Sequence, residues 1–232
     1  MLMKLFYSYS YIFWIVITGG LDLKLVMWDF SKGRPCKIMD FGLPDMDSRS
    51  SAGQCFNPAF VHSVAVPEVD MLDRSGKVCA VARGDGVVEV IDIESELSAV
   101  KSNSSSQPRK GPKPRSVSIK SNENIAIHEQ NSRRRCHLDY TLGGHTAAVS
   151  CVSFSLFGER GKFIISGGND ASVKVWDWSK HLVAEQSGNN DDLVRLNIDL
   201  NKNVNWLCTT PTDSENLVVC DTSKVVKVYT VM

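Results

Sequence analysis

Residues 165–177 read ISGGNDASVKVWD and residues 17–29 read ITGGLDLKLVMWD. Laid together without a gap, both place a hydroxyl residue four positions before an Asp and a Trp six positions after it. These are Ser166, Asp170 and Trp176 in one window and Thr18, Asp22 and Trp28 in the other. Two further windows fall in the same frame. AVARGDGVVEVID, residues 80–92, keeps Asp85 but carries Val81 and Ile91; VVCDTSKVVKVYT, residues 218–230, carries Val219, Ser223 and Tyr229. Self-similarity of this kind bears on the fold before any single residue does. The second half of each window alternates. Leu25 and Met27 match Val88 and Val90, Val173 and Val175, and Val226 and Val228, with Glu89, Lys174 and Lys227 between. A period of two belongs to a strand. The Gly, Asn and Asp residues just before it suit the positive φ angles of a tight hairpin turn. Each window therefore predicts strand, turn, strand.

Another β-rich run precedes three of the windows: AFVHSVAV (59–66), AAVSCVSF (147–154) and NVNWLC (203–208). A fourth strand is expected between units, in CKIMDF (36–41), LDYTL (138–142) and LVRLNIDL (193–200). Four short antiparallel strands per unit make a propeller blade, so the chain reads as all-β with four recognisable blades.

The stretch GGHTAAVSCVSF…FIISGGNDASVKVWDW, from Gly144-His145 to Trp176-Asp177, resembles a WD repeat. That resemblance implies a buried hydrogen-bonded chain of His145, Ser166, Asp170 and Trp176. The first window matches at Thr18, Asp22 and Trp28 but lacks the Gly-His pair, and the windows of blades two and four depart further. The order of the pieces is similar to that of the WD repeat-containing protein 53 group of plants. Propellers of this family usually have seven or eight blades, so an incomplete arc of a seven-bladed ring is expected ahead of the alternative, a four-bladed ring that closes with irregular edges. The last unit stops at its third strand and the first lacks a regular opening strand. MKLFYSYSY (3–11) alternates well enough to fill one of these two places but not both. An open arc exposes unpaired strand edges, which invite pairing or aggregation.

The expected organisation is an atypical segment over 1–14, blades one and two over 15–100, a disordered basic insert over 101–135 and blades three and four over 136–232. The insert carries nine Lys or Arg against two Glu in a chain of net charge +0, and few apolar residues to offset its ordering entropy. Its clusters at Arg109, Lys110, Lys113 and Arg115 and at Arg133, Arg134 and Arg135 have the form of a two-part nuclear address. The same charges suit phosphate contact, but no aromatic residues interleave them to stack on bases, which argues against specific nucleic-acid binding. The apolar run Tyr11–Ile17 is too short to span a membrane, which takes about 20 residues. It also runs into the first window, so no membrane partner is expected. The seven cysteines show no metal-ribbon or redox spacing and read as small buried hydrophobes in a reducing cytoplasmic or nuclear compartment.

No phosphate loop, paired-His motif or nucleophile elbow is present, so neither an enzyme nor a cofactor is expected. Arg83-Gly84-Asp85 spells an adhesion tripeptide, but Asp85 already serves as a turn corner; His62 reads as strand packing. The function expected of such an architecture is a protein-interaction scaffold. A sharper form makes the chain a substrate receptor that docks the adaptor of a cullin-RING ubiquitin ligase. Residues 164–178 fit the adaptor box of the family, except that Ser179 and Ser31 stand where it carries a basic residue, with Lys180 and Lys32 one residue late. The alternative is a nuclear protein associated with nucleic acid through the insert.

Overall fold

In the computed structural model, which describes residues 2–7, 14–43, 55–68, 78–104, 135–178 and 193–231, the strands form four antiparallel sheets in chain order. Blade one is β1 (Leu2–Tyr7), β2 (Trp14–Gly19), β3 (Lys24–Asp29) and β4 (Arg34–Asp40). Blade two is β5 (Val61–Ala65), β6 (Val78–Arg83), β7 (Val88–Asp92) and β8 (Arg135–Leu138), with helix α1 (Ile93–Ser104) after β7. Blade three is β9 (Val149–Phe154), β10 (Phe163–Gly168), β11 (Ser172–Asp177) and β12 (Val194–Asp199). Blade four has three strands, β13 (Val204–Thr209), β14 (Leu217–Asp221) and β15 (Val226–Tyr229). Among the described residues no helix is long and apolar enough to cross a membrane.

The four windows fold as hairpins of one register. Thr18 faces Val26, Val81 faces Glu89, Ser166 faces Lys174 and Val219 faces Lys227. The corner is also shared. Leu23, Gly86 and Ala171, each just after the window's Asp, have φ of 63°, 93° and 59°. By register Asp22, Asp85, Asp170 and Ser223 are thus equivalent positions, the first three sharing the left-handed corner, and the architecture is an all-β propeller arc.

β1 takes the opening-strand place of blade one, pairing Met3 with Thr18; of residues 3–11 read as one strand, 8–11 lie outside the described residues. The fourth strand of blade two differs from expectation. It runs over Arg135–Leu138, not over LDYTL, and Tyr140–Leu142 is a 3₁₀ turn. The Asp139 side chain accepts the Thr141 N–H, and Gly143 closes the turn in the left-handed conformation. That local hydrogen bond competes with the ladder and ends the strand. Both this strand and α1 reach into the segment read as an insert. Asp92 caps α1 through the Ser95 N–H, Glu94 and Glu96 lie in its first turn, and Ile93 and Leu97 pack on the core between blades one and two.

Each blade has two flanks, and the core lies between facing flanks. The rear of blade one (Ile17, Leu25, Met27) meets the front of blade two (Val61, Cys79, Val81, Ile91). The rear of blade two (Ala80, Ala82, Val88, Val90) meets the front of blade three (Val149, Val152, Ile164, Trp176). The rear of blade three (Cys151, Ile165, Val173, Val175) meets the front of blade four (Val204, Leu207, Leu217, Val219). The third place of each window must be small, because the opening valine of the next blade sits on it. A Cβ added to Gly167 would lie 2.5 Å from Val204 Cγ1, and one added to Gly19 would overlap Val61. Ala82 holds that place and shares a core with Val149.

A bulge follows each of these valines, at His62, Ser150 and Asn205. Bulges re-aim a side chain, and those at His62 and Ser150 aim it at the next blade. His62 Nδ1 donates to the Val149 carbonyl at 2.9 Å, and the Ser150 hydroxyl reaches the Val204 carbonyl.

The corner geometry gives opposite expectations for two substitutions. Ala171→Gly relieves a left-handed alanine and should gain about 0.5–1 kcal/mol. Gly86→Ala places a Cβ 3.0 Å from the His145 carbonyl oxygen and should lose about 1–2 kcal/mol. Urea-unfolding midpoints of the two variants should move in opposite directions.

Candidate functional site

Blade three carries the complete buried chain. The Trp176 indole N–H donates to Ser166 Oγ at 2.9 Å, and that hydroxyl meets His145 Nε2 at 2.8 Å. Since Ser166 already accepts from Trp176, its proton goes to Nε2 and the imidazole proton sits on Nδ1, 3.0 Å from both Asp170 oxygens. Asp170 also accepts the backbone N–H groups of Thr146 (3.1 Å) and Ser172 (3.2 Å) and the Ser172 hydroxyl (2.8 Å). Trp176, Ser166 and His145 are buried. Every polar atom of the chain is satisfied, the condition under which a buried network rigidifies a sheet. Burial pushes the Asp170 carboxyl up, but the hydrogen bonds from His145, Ser172 and the Thr146 N–H outweigh it and bring it down to about 2.

Blade one has one link of this chain, the Trp28 indole donating to Thr18 Oγ1 at 2.9 Å. Asp22 is exposed at its corner. Blades two and four use a different device, absent from the sequence expectation: an ion pair between the fourth and tenth places of the window. In blade two Arg83 donates to Glu89 at 2.6 Å and forks onto Asp85, while its guanidinium stands 4.9 Å over the Phe41 ring of blade one. In blade four the charges are reversed, Lys227 reaching Asp221 at 2.6 Å. Lys227 first, then Ser223, hold the Asp221 carboxyl down to about 2. Opposite charges at those two places, Arg83 with Glu89 and Asp221 with Lys227, are visible once the windows are aligned.

Arg135, the last residue of the expected nuclear address, belongs to this network. It contacts Glu96 at 3.0 Å and Glu89 at 3.7 Å, and Glu96 reaches Lys37 of blade one at 2.9 Å. Its charge is engaged in fixing β8 and α1. Arg109, Lys110, Lys113, Arg115, Arg133 and Arg134 lie outside the described residues, as do Ser179 and Lys180. Asp85 of the adhesion tripeptide is taken up by Arg83. The cysteines are all unbonded, and those at 79, 136 and 151 are buried. Burial raises the thiols of Cys136 to about 12 and Cys151 to about 11, which makes them unreactive. Among the described residues no cluster of His, Cys, Asp or Glu is placed to hold a metal.

The bulges build a cleft. Gly19, Gly20 and Leu21 of blade one, Val61 and His62 of blade two, and Ser150 and Asn169 of blade three line a hollow of about 410 Å³. His62, holding its proton on Nδ1, offers Nε2 as an acceptor. Leu21 is 71% exposed at the rim, an apolar side chain held out by a turn. Composition marked none of these residues; the bulge that turns His62 and Ser150 inward appears only when strands pair.

Four antiparallel blades in series, three of them four-stranded, with a Trp-Ser-His-Asp chain inside one of them, have the architecture of a β-propeller of the WD-repeat type. Residues 136–177, from β8 to the end of β11, match the family model described as WD domain, G-beta repeat. The chain is also similar to Mitochondrial division protein 1 of Kluyveromyces lactis, 31% identical over 78 residues, 34% of this chain and 10% of that protein. The match thus spans a tenth of that relative's length.

Because Asp170 titrates lower in the fold than its ordinary value of 3.8, its contribution is complete above that value and is lost as pH falls toward about 2. Asp170→Asn should therefore lower stability at neutral pH while flattening its decline below pH about 4, as followed by unfolding midpoints across an acid series.

Proposed function

We propose that this chain is a non-enzymatic interaction scaffold that receives an extended segment of another protein in the cleft between blades one, two and three. The observation that carries this reading is the convergence of three blades on one hollow. Leu21 offers apolar contact, and His62 and Asn169 offer hydrogen-bonding groups to a peptide backbone or a polar side chain. Rigid elements with exposed turns suit such recognition. The unbonded cysteines support action in the reducing cytoplasm or nucleus.

A finer reading rests on the opposite end of the blades. After Trp28 in blade one, Asp29 is held by Lys32 at 2.6 Å and by Ser31 at 2.5 Å, with Phe30 65% exposed beside them. Lys32 closes on the Asp even though it stands one residue late. That arrangement supports docking of a cullin-RING ligase adaptor on this end while the cleft holds a target. Co-purification of the adaptor with the tagged chain, lost on Lys32→Glu, supports this; a clean absence from the wild-type material contradicts it.

The cleft itself is tested by Leu21→Asp with Asn169→Arg, both at exposed turn positions. Affinity purification of wild-type and doubly substituted chains, side by side, should show captured proteins reduced at least about tenfold at an unchanged melting temperature. An unaltered set of captured proteins would remove the cleft from the function.

A further inference from the structure

The two ends of the arc present uncovered flanks of complementary kind. The rear of blade four is two rows of side chains, Trp206, Cys220 and Val226, then Cys208, Val218 and Val228. Trp206, Val226 and Val228 are 53%, 61% and 50% exposed. The equivalent rows of blade three are Cys151, Gly167 and Val173, then Ser153, Ile165 and Val175. There Val173 is 0% and Val175 3% exposed, because blade four covers them. At the other end, the front of blade one shows Thr18, Val26 and Ile38 in one row and Val16, Trp28 and Pro35 in the next. Ile38 is 54% exposed and Trp28 half-buried. Its counterpart Trp176 is fully buried under blade two. Three times among the described residues a rear flank meets a front flank; the rear of blade four remains accessible, as does the front of blade one at Val26, Trp28, Pro35 and Ile38, with Val16 and Thr18 buried beneath them.

We propose that two copies of this chain associate head to tail, the rear of blade four of each copy packing on the front of blade one of the other. What selects a second copy is continuity with the three interfaces inside the chain. The rear of blade four repeats their pattern, with the small residue Cys220 in the place that Gly19, Ala82 and Gly167 hold. The front of blade one supplies the matching apolar rows. Two heterologous contacts related by a two-fold axis close on themselves, whereas an unclosed series of them grows into a filament. The closed pair holds eight of the described blades, within the range that propellers adopt.

The experiment is sedimentation velocity of the full chain from micromolar to hundred-micromolar concentration. The wild-type chain should sediment at twice the mass of one copy. Val226→Lys with Val228→Lys breaks the rear flank, and Ile38→Lys breaks the front. Each should weaken association at least about 100-fold. An equimolar mixture of the two variants should pair again, since it retains one intact rear and one intact front. The substituted side chains are at least half exposed, so the folded monomer tolerates them. A second measurement needs no substitution: alkylation of Cys208 and Cys220, followed by mass spectrometry, should slow as wild-type concentration rises through the dissociation constant. A wild-type monomer throughout, an Ile38→Lys variant that dimerises like wild type, a polymer that lengthens with concentration, or alkylation rates independent of concentration would each overturn the proposal.

Discussion

The arc depends on a steric fit made at each junction between blades. A valine opening one blade lies on a residue with little or no side chain in the hairpin of the blade before it. Val61 lies on Gly19 and Val204 on Gly167, and neither glycine has room for a methyl group; Val149 and Ala82 share the same core. The contact sets how closely two sheets approach, and close approach is what buries Ile17, Ile165 and Trp176 completely. Burial of that order, about 1.5–3 kcal/mol for each large aliphatic side chain, is the main term holding separate sheets in one body. The bulges after Val61 and Val149 add a hydrogen bond across the following junction, from His62 or Ser150 to the backbone of the next blade. One short stretch at the start of a blade thus fixes its distance, registers it against its neighbour and shapes the cleft.

Within a blade the hairpin corner is held in two ways. Blade three uses the neutral donor chain from Trp176 through Ser166 and His145 to Asp170. Blades two and four use an ion pair across the hairpin, in opposite senses, Arg83 to Glu89 and Lys227 to Asp221. A fully buried Glu89 is stable only while its cations remain, and removing one partner of such a pair commonly costs about 3–5 kcal/mol. Both devices serve one purpose, to keep the turn rigid so that side chains around it, Asn169 among them, are presented in fixed positions. The link from sequence to function runs through that rigidity.

Much of this was legible in the residues. The hairpins were, because a period of two and turn-forming residues recur in one frame, and the network of blade three was, because all four of its members are present at the expected spacing. Three features were not. The last strand of blade two begins with Arg135, inside a run of arginines that reads as solvated; only the buried Glu89 and Glu96 explain why it lies in a sheet. Helix α1 carries acidic residues in its first turn, a usable signal, but its neighbourhood is polar and reads as loop. The cleft depends on bulges, which arise from strand pairing and leave no mark on hydrophobic periodicity.

The fit between blades is open to a direct measurement, a double-mutant cycle at the junction of blades three and four. Gly167→Ala alone should destabilise the chain, because the new methyl group meets Val204. Val204→Ala alone should also destabilise it, by loss of buried surface. Combined, the two should be less harmful than their sum by at least about 1 kcal/mol, since the smaller residue makes room for the added methyl. Strict additivity would mean that the valine does not rest on the glycine, and the stacking of blades described here would be wrong.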